Sequence, residues 1–93
     1  MAIDNKNVTT SSAVVLTAGQ YQSVVLYNAS DVEILIGYFG DDLDSGDGVP
    51  LGVGEKEIIV NQRGPYGLMF QSGITAKHAG AGSKVLRVQY MTV

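Results

Sequence analysis

Val32-Glu33-Ile34-Leu35-Ile36-Gly37-Tyr38-Phe39 is the stretch whose reading decides the fold. Val32, Ile34, Ile36 and Tyr38 fall on one side of a period-two repeat. Glu33, Leu35, Gly37 and Phe39 fall on the other. A strand turns alternate side chains to opposite faces, so apolar groups on both faces predict a central strand, or one with a face turned to a partner. Asn28-Ala29-Ser30-Asp31 precedes it and reads as a turn, because these side chains bond their own backbone.

The same pattern repeats outward in both directions. Ala13-Val14-Val15-Leu16-Thr17 and Gln22-Ser23-Val24-Val25-Leu26-Tyr27-Asn28 read as two strands around Ala18-Gly19-Gln20, and their shared Val-Val-Leu suggests the arms of a hairpin. Val49-Pro50-Leu51 reads as an edge segment, since proline cannot donate to a ladder. Glu57-Ile58-Ile59-Val60, then Tyr66 to Gln71, then Ile74 to Lys77 follow as strands, with Ser72-Gly73 expected as a two-residue hairpin turn. In Val85-Leu86-Arg87-Val88-Gln89-Tyr90-Met91 the set Leu86, Val88, Tyr90 is expected inside and Arg87, Gln89, Met91 outside. Seven to eight short antiparallel strands at roughly 8–12-residue spacing, with no helical periodicity, predict an all-β protein of the β-sandwich or jelly-roll kind.

Composition agrees. The chain has 93 residues, 12 Gly against two Pro, no Cys, and only 16% charged residues with a net charge of −3. That length fits one domain. Residues 1–12 are polar and read as a flexible arm, or as a segment that orders on a partner, leaving 13–93 as a single β-sandwich domain. A domain this small buries only about 60–65% of its unfolded surface, so part of its stability is expected to come from a partner or from a homo-oligomer. Six scattered Lys and Arg cannot track a phosphate backbone, so nucleic acid is not an expected partner. No apolar run spans a membrane, and the polar start Met1 to Asn7 lacks the apolar core of a secretory signal, so folding in a cytoplasm is expected.

Few residues invite chemistry. Asp41, Asp42, Asp44 and Asp47, with Ser45, offer hard oxygens suited to Ca²⁺. Their order is not that of an EF-hand, so a solvated acidic turn is expected and no resident cofactor. Asp42, Asp44 and Asp47 are the candidate ligands if Ca²⁺ binds. His78 has no activating partner and reads as a surface histidine at a strand end. Glu33, Glu55 and Glu57 read as solvated charges rather than a glycosidase pair. Tyr27, Tyr38 and Tyr90 are expected to pack in the core with their hydroxyls at its rim. There is no Trp, and therefore no strong sugar platform. With no nucleophile–base pair or metal set to assemble, the chain is not expected to be an enzyme. The candidate interface residues are Leu35 and Phe39 on the second face of the central strand, and Ile3 and Val8 in the arm.

Taken in order, Val24-Val25-Leu26-Tyr27-Asn28-Ala29-Ser30, Glu33-Ile34-Leu35-Ile36-Gly37, a Gly/Asp loop into Gly48-Val49-Pro50-Leu51, Val53-Gly54-Glu55 and Val85-Leu86-Arg87-Val88 resemble small β-sandwich virion proteins of tailed bacteriophages. The likeness runs over about residues 14–90, and the Asp-rich loop is longer than the pattern requires. It implies a non-enzymatic decoration or cement protein, made in the host cytoplasm and located in the virion. Such a protein binds the major capsid protein or other virion proteins, often as an oligomer. The alternatives are a tail, collar or fibre component, or a small Ca²⁺- or glycan-binding module.

Overall fold

The computed structural model describes residues 2–38, 40, 42–45, 48–60, 68–70 and 73–92. Nine strands form among them: β1 (Ala2–Val8), β2 (Ala13–Leu16), β3 (Gly19–Asn28), β4 (Ile34–Gly37), β5 (Val49–Leu51), β6 (Lys56–Val60), β7 (Leu68–Phe70), β8 (Ile74–His78) and β9 (Lys84–Thr92). They make two antiparallel sheets. One runs β1-β9-β3-β6, with β7 also paired to β3, and the other runs β2-β8-β4-β5.

The pairings are nested. The first strand pairs with the last (β1 with β9), the second with the next to last (β2 with β8), then β3 with β6 and β4 with β5. Folded over as two sheets, that order is a jelly roll. β4 is central, between β5 and β8, and the Pro50-bearing β5 is an edge, both as the sequence predicts. In β9, Leu86 and Val88 are buried and Tyr90 packs against the core, while Arg87 and Met91 are exposed.

Three expectations are overturned. Residues 2–8 of the supposed flexible arm are a strand paired with β9 along its whole length, from Ala2 opposite Tyr90 to Val8 opposite Lys84. β2 and β3 are not a hairpin: they lie in different sheets. β7 and β8 also lie in different sheets and so are not the two arms of a hairpin; Ser72 of the expected turn lies outside the described residues. Adjacent apolar segments look like hairpin arms in sequence, but each sheet here is assembled from strands far apart in the chain.

Two bulges set which side chains face inward. The register of β2 on β8 shifts between Val14 and Leu16, which lets the consecutive residues Val15 and Leu16 both reach the core. The register of β3 on β9 shifts between Tyr21 and Ser23, so Tyr21 and Val24 are both buried although three residues apart. The core between the sheets includes Val24, Leu26, Ile34, Ile36, Ile74, Leu86 and Val88.

One polar side chain crosses that core. Asn28, at the end of β3, is fully buried. Its Nδ2 donates to Val32 O at 2.8 Å and to Leu51 O at 2.9 Å in the opposite sheet. Its Oδ1 accepts from Ser30 N at 3.0 Å and lies 2.6 Å from Ser30 Oγ. Its backbone N–H donates to Glu55 O, and its carbonyl accepts from Gly54 N–H. The Asn-x-Ser turn read from sequence thus also fastens one sheet to the other.

Leu26→Ala is expected to cost about 2–5 kcal/mol in urea unfolding, as for other fully buried leucines, whereas Ile58→Ala, at an exposed strand position, stays within about 0.5 kcal/mol of wild type. Asn28→Ala is expected to cost about 2–3 kcal/mol, because Leu51 O and the Ser30 N–H lose their side-chain partner while Val32 O keeps the Ser30 hydroxyl. Asn28→Asp should fail as well, since it sets an oxygen against the carbonyls of Val32 and Leu51. Wild-type unfolding midpoints for both Asn28 variants would show that the crossing carries no weight.

Candidate functional site

Among the described residues, the side chains marked out by sequence do not converge. Asp42 Oδ1 accepts from Asp44 N–H at 3.1 Å, and its Oδ2 lies 3.2 Å from Ser45 Oγ. Asp44 Oδ1 accepts from Ser12 N–H at 3.0 Å and pairs with Lys77 Nζ at 3.5 Å. These two carboxylates hold their own turn and tie it to β8 and to the β1–β2 connection. Asp47, the third candidate Ca²⁺ ligand, lies outside the described residues, as does Phe39. Among the described residues no group of three or more His, Asp or Glu is gathered in a way that could hold a metal. No helix among them is long and apolar enough to cross a membrane. Glu33 and Glu57 are exposed, and Glu55 Oε1 accepts from Gly52 N–H at 2.8 Å to close its turn.

His78 is the clearest departure from expectation. It is completely buried rather than on the surface. Its Nδ1 accepts from Gly80 N–H at 3.0 Å, its Nε2 lies 2.7 Å from Gly82 O, and its backbone N–H donates to Thr9 O. An accepting Nδ1 places the ring proton on Nε2, which donates to Gly82 O. Both nitrogens are thereby committed to the backbone of the β8–β9 loop.

Of the interface candidates, Val8 is 1% exposed and belongs to the core, Leu35 is half-buried, and Ile3 is 59% exposed. Val8 moves inside because β1 has joined the sheet. Tyr38 and Tyr90 pack against the core as expected, but Tyr27 does not. Val24, Leu26 and Asn28 point inward, so Val25 and Tyr27 between them point outward.

That correction uncovers a surface. On the outer face of the larger sheet, Ile3 of β1, Gln89 of β9, Val25 of β3 and Ile58 of β6 stand opposite one another in a row. Asn5, Arg87, Tyr27 and Lys56 form the adjacent row. Val25, Tyr27, Lys56, Arg87 and Gln89 line a shallow groove of about 290 Å³. The Arg87 guanidinium lies 5.9 Å from the centre of the Tyr27 ring, and its Nε donates to Asn5 Oδ1 at 3.3 Å. Ile58 is 62% exposed, with Met91 and Val85 also exposed on this face. Sequence held half of the signal: Arg87, Gln89 and Met91 read as outward. The other half needs the register across four strands.

A second groove opens at the β1–β2 edge of the sandwich, lined by Asp4, Lys6, Val14 to Thr17 and Tyr90. Tyr90 meets Tyr21 edge-on, with ring centres 5.6 Å apart, and Tyr21 OH donates to Thr17 O at 2.6 Å. The Asp4 carboxylate raises the Tyr90 pKa above the ordinary tyrosine value, with partial burial and a hydrogen bond to Asp4 adding to it. Burial, then Glu57, raises Tyr38 in the same direction. These are stabilised neutral phenols, the opposite of an activated nucleophile.

No family model, no curated protein and no solved structure matches the chain.

The folded chain holds the Tyr90 proton more tightly than the unfolded chain does. The associated stability is complete below the ordinary tyrosine pKa and is lost as pH rises through the raised one. In an NMR titration of the tyrosine rings, Asp4→Asn is expected to lower the Tyr90 midpoint toward the ordinary value. A midpoint indifferent to Asp4 would remove carboxylate proximity as the cause.

Proposed function

We propose that this chain is a non-enzymatic structural protein of a phage virion, a decoration or cement protein that binds the assembled head and stabilises it. The observation that carries this reading is the outer face of the larger sheet. Ile3, Ile58 and Met91 are exposed there, on a fold whose core is complete without them. Exposed apolar side chains grouped on one face are what a docking surface offers. The jelly-roll order of the strands is an architecture used by viral capsid and lectin domains, which agrees with the resemblance of the chain to small virion β-sandwiches. The buried polar residues are also committed to structure: Asn28 joins the sheets, and His78 has both ring nitrogens on backbone groups.

In this role the protein works by mass action. A chain that binds assembled lattice better than free subunits stabilises the lattice, and many copies on a repeating surface turn a modest contact into a firm one. The partners are the major capsid protein or other virion proteins, with further copies of this chain. Synthesis is in the host cytoplasm and the final location is the particle.

Mass spectrometry of purified virions from the phage that encodes the chain tests this directly. The chain is expected in the particle at a copy number comparable with that of the capsid protein. A few copies per particle would make it a tail, collar or fibre component instead, and absence from the particle would defeat the virion assignment.

A further inference from the structure

Six basic residues occur in the chain. Three of them meet a carboxylate: Lys6 with Asp4 at 4.0 Å, Lys77 with Asp44 at 3.5 Å and Lys84 with Asp31 at 2.8 Å. Arg63 lies outside the described residues. The remaining two, Lys56 and Arg87, have no carboxylate partner among the described residues, and both stand on the outer face of the larger sheet. They flank Tyr27 in one strand row, so their backbones are about 10 Å apart, two strand spacings. Among the described side chains that the pleat places on this face, none is acidic. In a chain of net charge −3, the two uncompensated cations therefore share one face with the exposed apolar row.

We infer that this face docks an acidic patch on a different protein, seating a carboxylate between Arg87 and Lys56 above Tyr27 while apolar neighbours of that carboxylate pack on Ile3, Val25 and Ile58. The inference rests on the reading of the chain as an assembly protein and names its docking face and the chemistry of its partner. Guanidinium and ammonium groups that lack an internal partner are available to a carboxylate without breaking an existing ion pair. Asn5 engages Arg87 through Nε alone, so that bond does not occupy the terminal guanidinium nitrogens. A second copy docked through the same face by two-fold symmetry would bring this acid-free face against itself and offer Arg87 and Lys56 no carboxylate. Nucleic acid calls for a longer cationic track than two residues and gains little from an apolar row. A sugar would need the Tyr27 ring, which Arg87 already covers.

The test uses the full chain and heads assembled without it, in co-sedimentation over a range of salt concentrations. Wild type is compared with Lys56→Glu/Arg87→Glu, with the milder Lys56→Gln/Arg87→Gln, and with Lys84→Gln as a charge change elsewhere. Circular dichroism and thermal melting check that each variant is folded. At low salt the charge reversal is expected to weaken binding roughly tenfold or more, the neutral pair less, and Lys84→Gln hardly at all; the gap should narrow as salt rises. If wild type binds and both folded double variants bind equally well, the docking face is wrong while the assembly role stands. If wild type does not bind heads, the role and the face fall together. If sedimentation velocity shows a wild-type oligomer that the charge reversal disperses, the face is a contact between copies and the acidic partner is overturned.

Discussion

The two amide hydrogens of Asn28 are the point at which this sandwich is fastened. Each sheet satisfies its own backbone by pairing, and apolar contact between the layers is strong but not directional. An amide that leaves β3 and donates to Leu51 O in the facing layer, and to Val32 O in the β3–β4 connection, fixes the offset of one sheet on the other. The low dielectric around it strengthens both bonds and makes any mismatch costly. Ser30 completes the arrangement by occupying Oδ1, which holds the amide in the orientation that donates across the core. His78 does the same at the β8–β9 corner, where its ring holds the loop backbone through Gly80 and Gly82.

With the interior settled in this way, the exterior divides unevenly. Three lysines are held by neighbouring carboxylates, while Lys56 and Arg87 are left on the outer face among exposed aliphatic groups. Exposed ion pairs contribute little to stability, so the pairing of the other three is weak evidence of design for strength. Its consequence is spatial: it removes free positive charge from the described surface everywhere except the proposed docking face.

The sequence made some elements legible and hid others for definable reasons. β4 and β9 announce themselves because alternation survives when one face is buried. β1 was hidden because it is an edge strand. Two of its inward positions are Asp4 and Lys6, half-exposed at the open side of the sandwich, and inward charge on an edge is a known guard against unwanted strand addition. Ala2–Val8 therefore reads as a polar arm although every residue in it is paired. Pairing partners were hidden because β2 and β3, or β7 and β8, are close in sequence and lie in different layers. The inward turn of Tyr21 and the outward turn of Tyr27 within a single strand depend on a bulge that no local pattern signals. The burial of His78 likewise depends on loop backbone folding over it.

Nested topology also decides when the outer face comes into existence. Its row takes the apolar Ile3 from the first strand, Val25 from the third and Ile58 from the sixth, with Gln89 from the last between Ile3 and Val25. No contiguous segment supplies two neighbours of that row, and none can present it before β1 has closed against β9. Pairings of such long sequence separation form late and slowly, because loop-closure entropy must be overcome before contacts compensate for it. A partly folded chain thus exposes apolar strands but lacks the arrangement of Ile3, Val25 and Ile58 beside Arg87 and Lys56. In the proposed docking, recognition is then conditional on complete folding, which suits a part that must join a finished lattice and not the crowded intermediates that precede it.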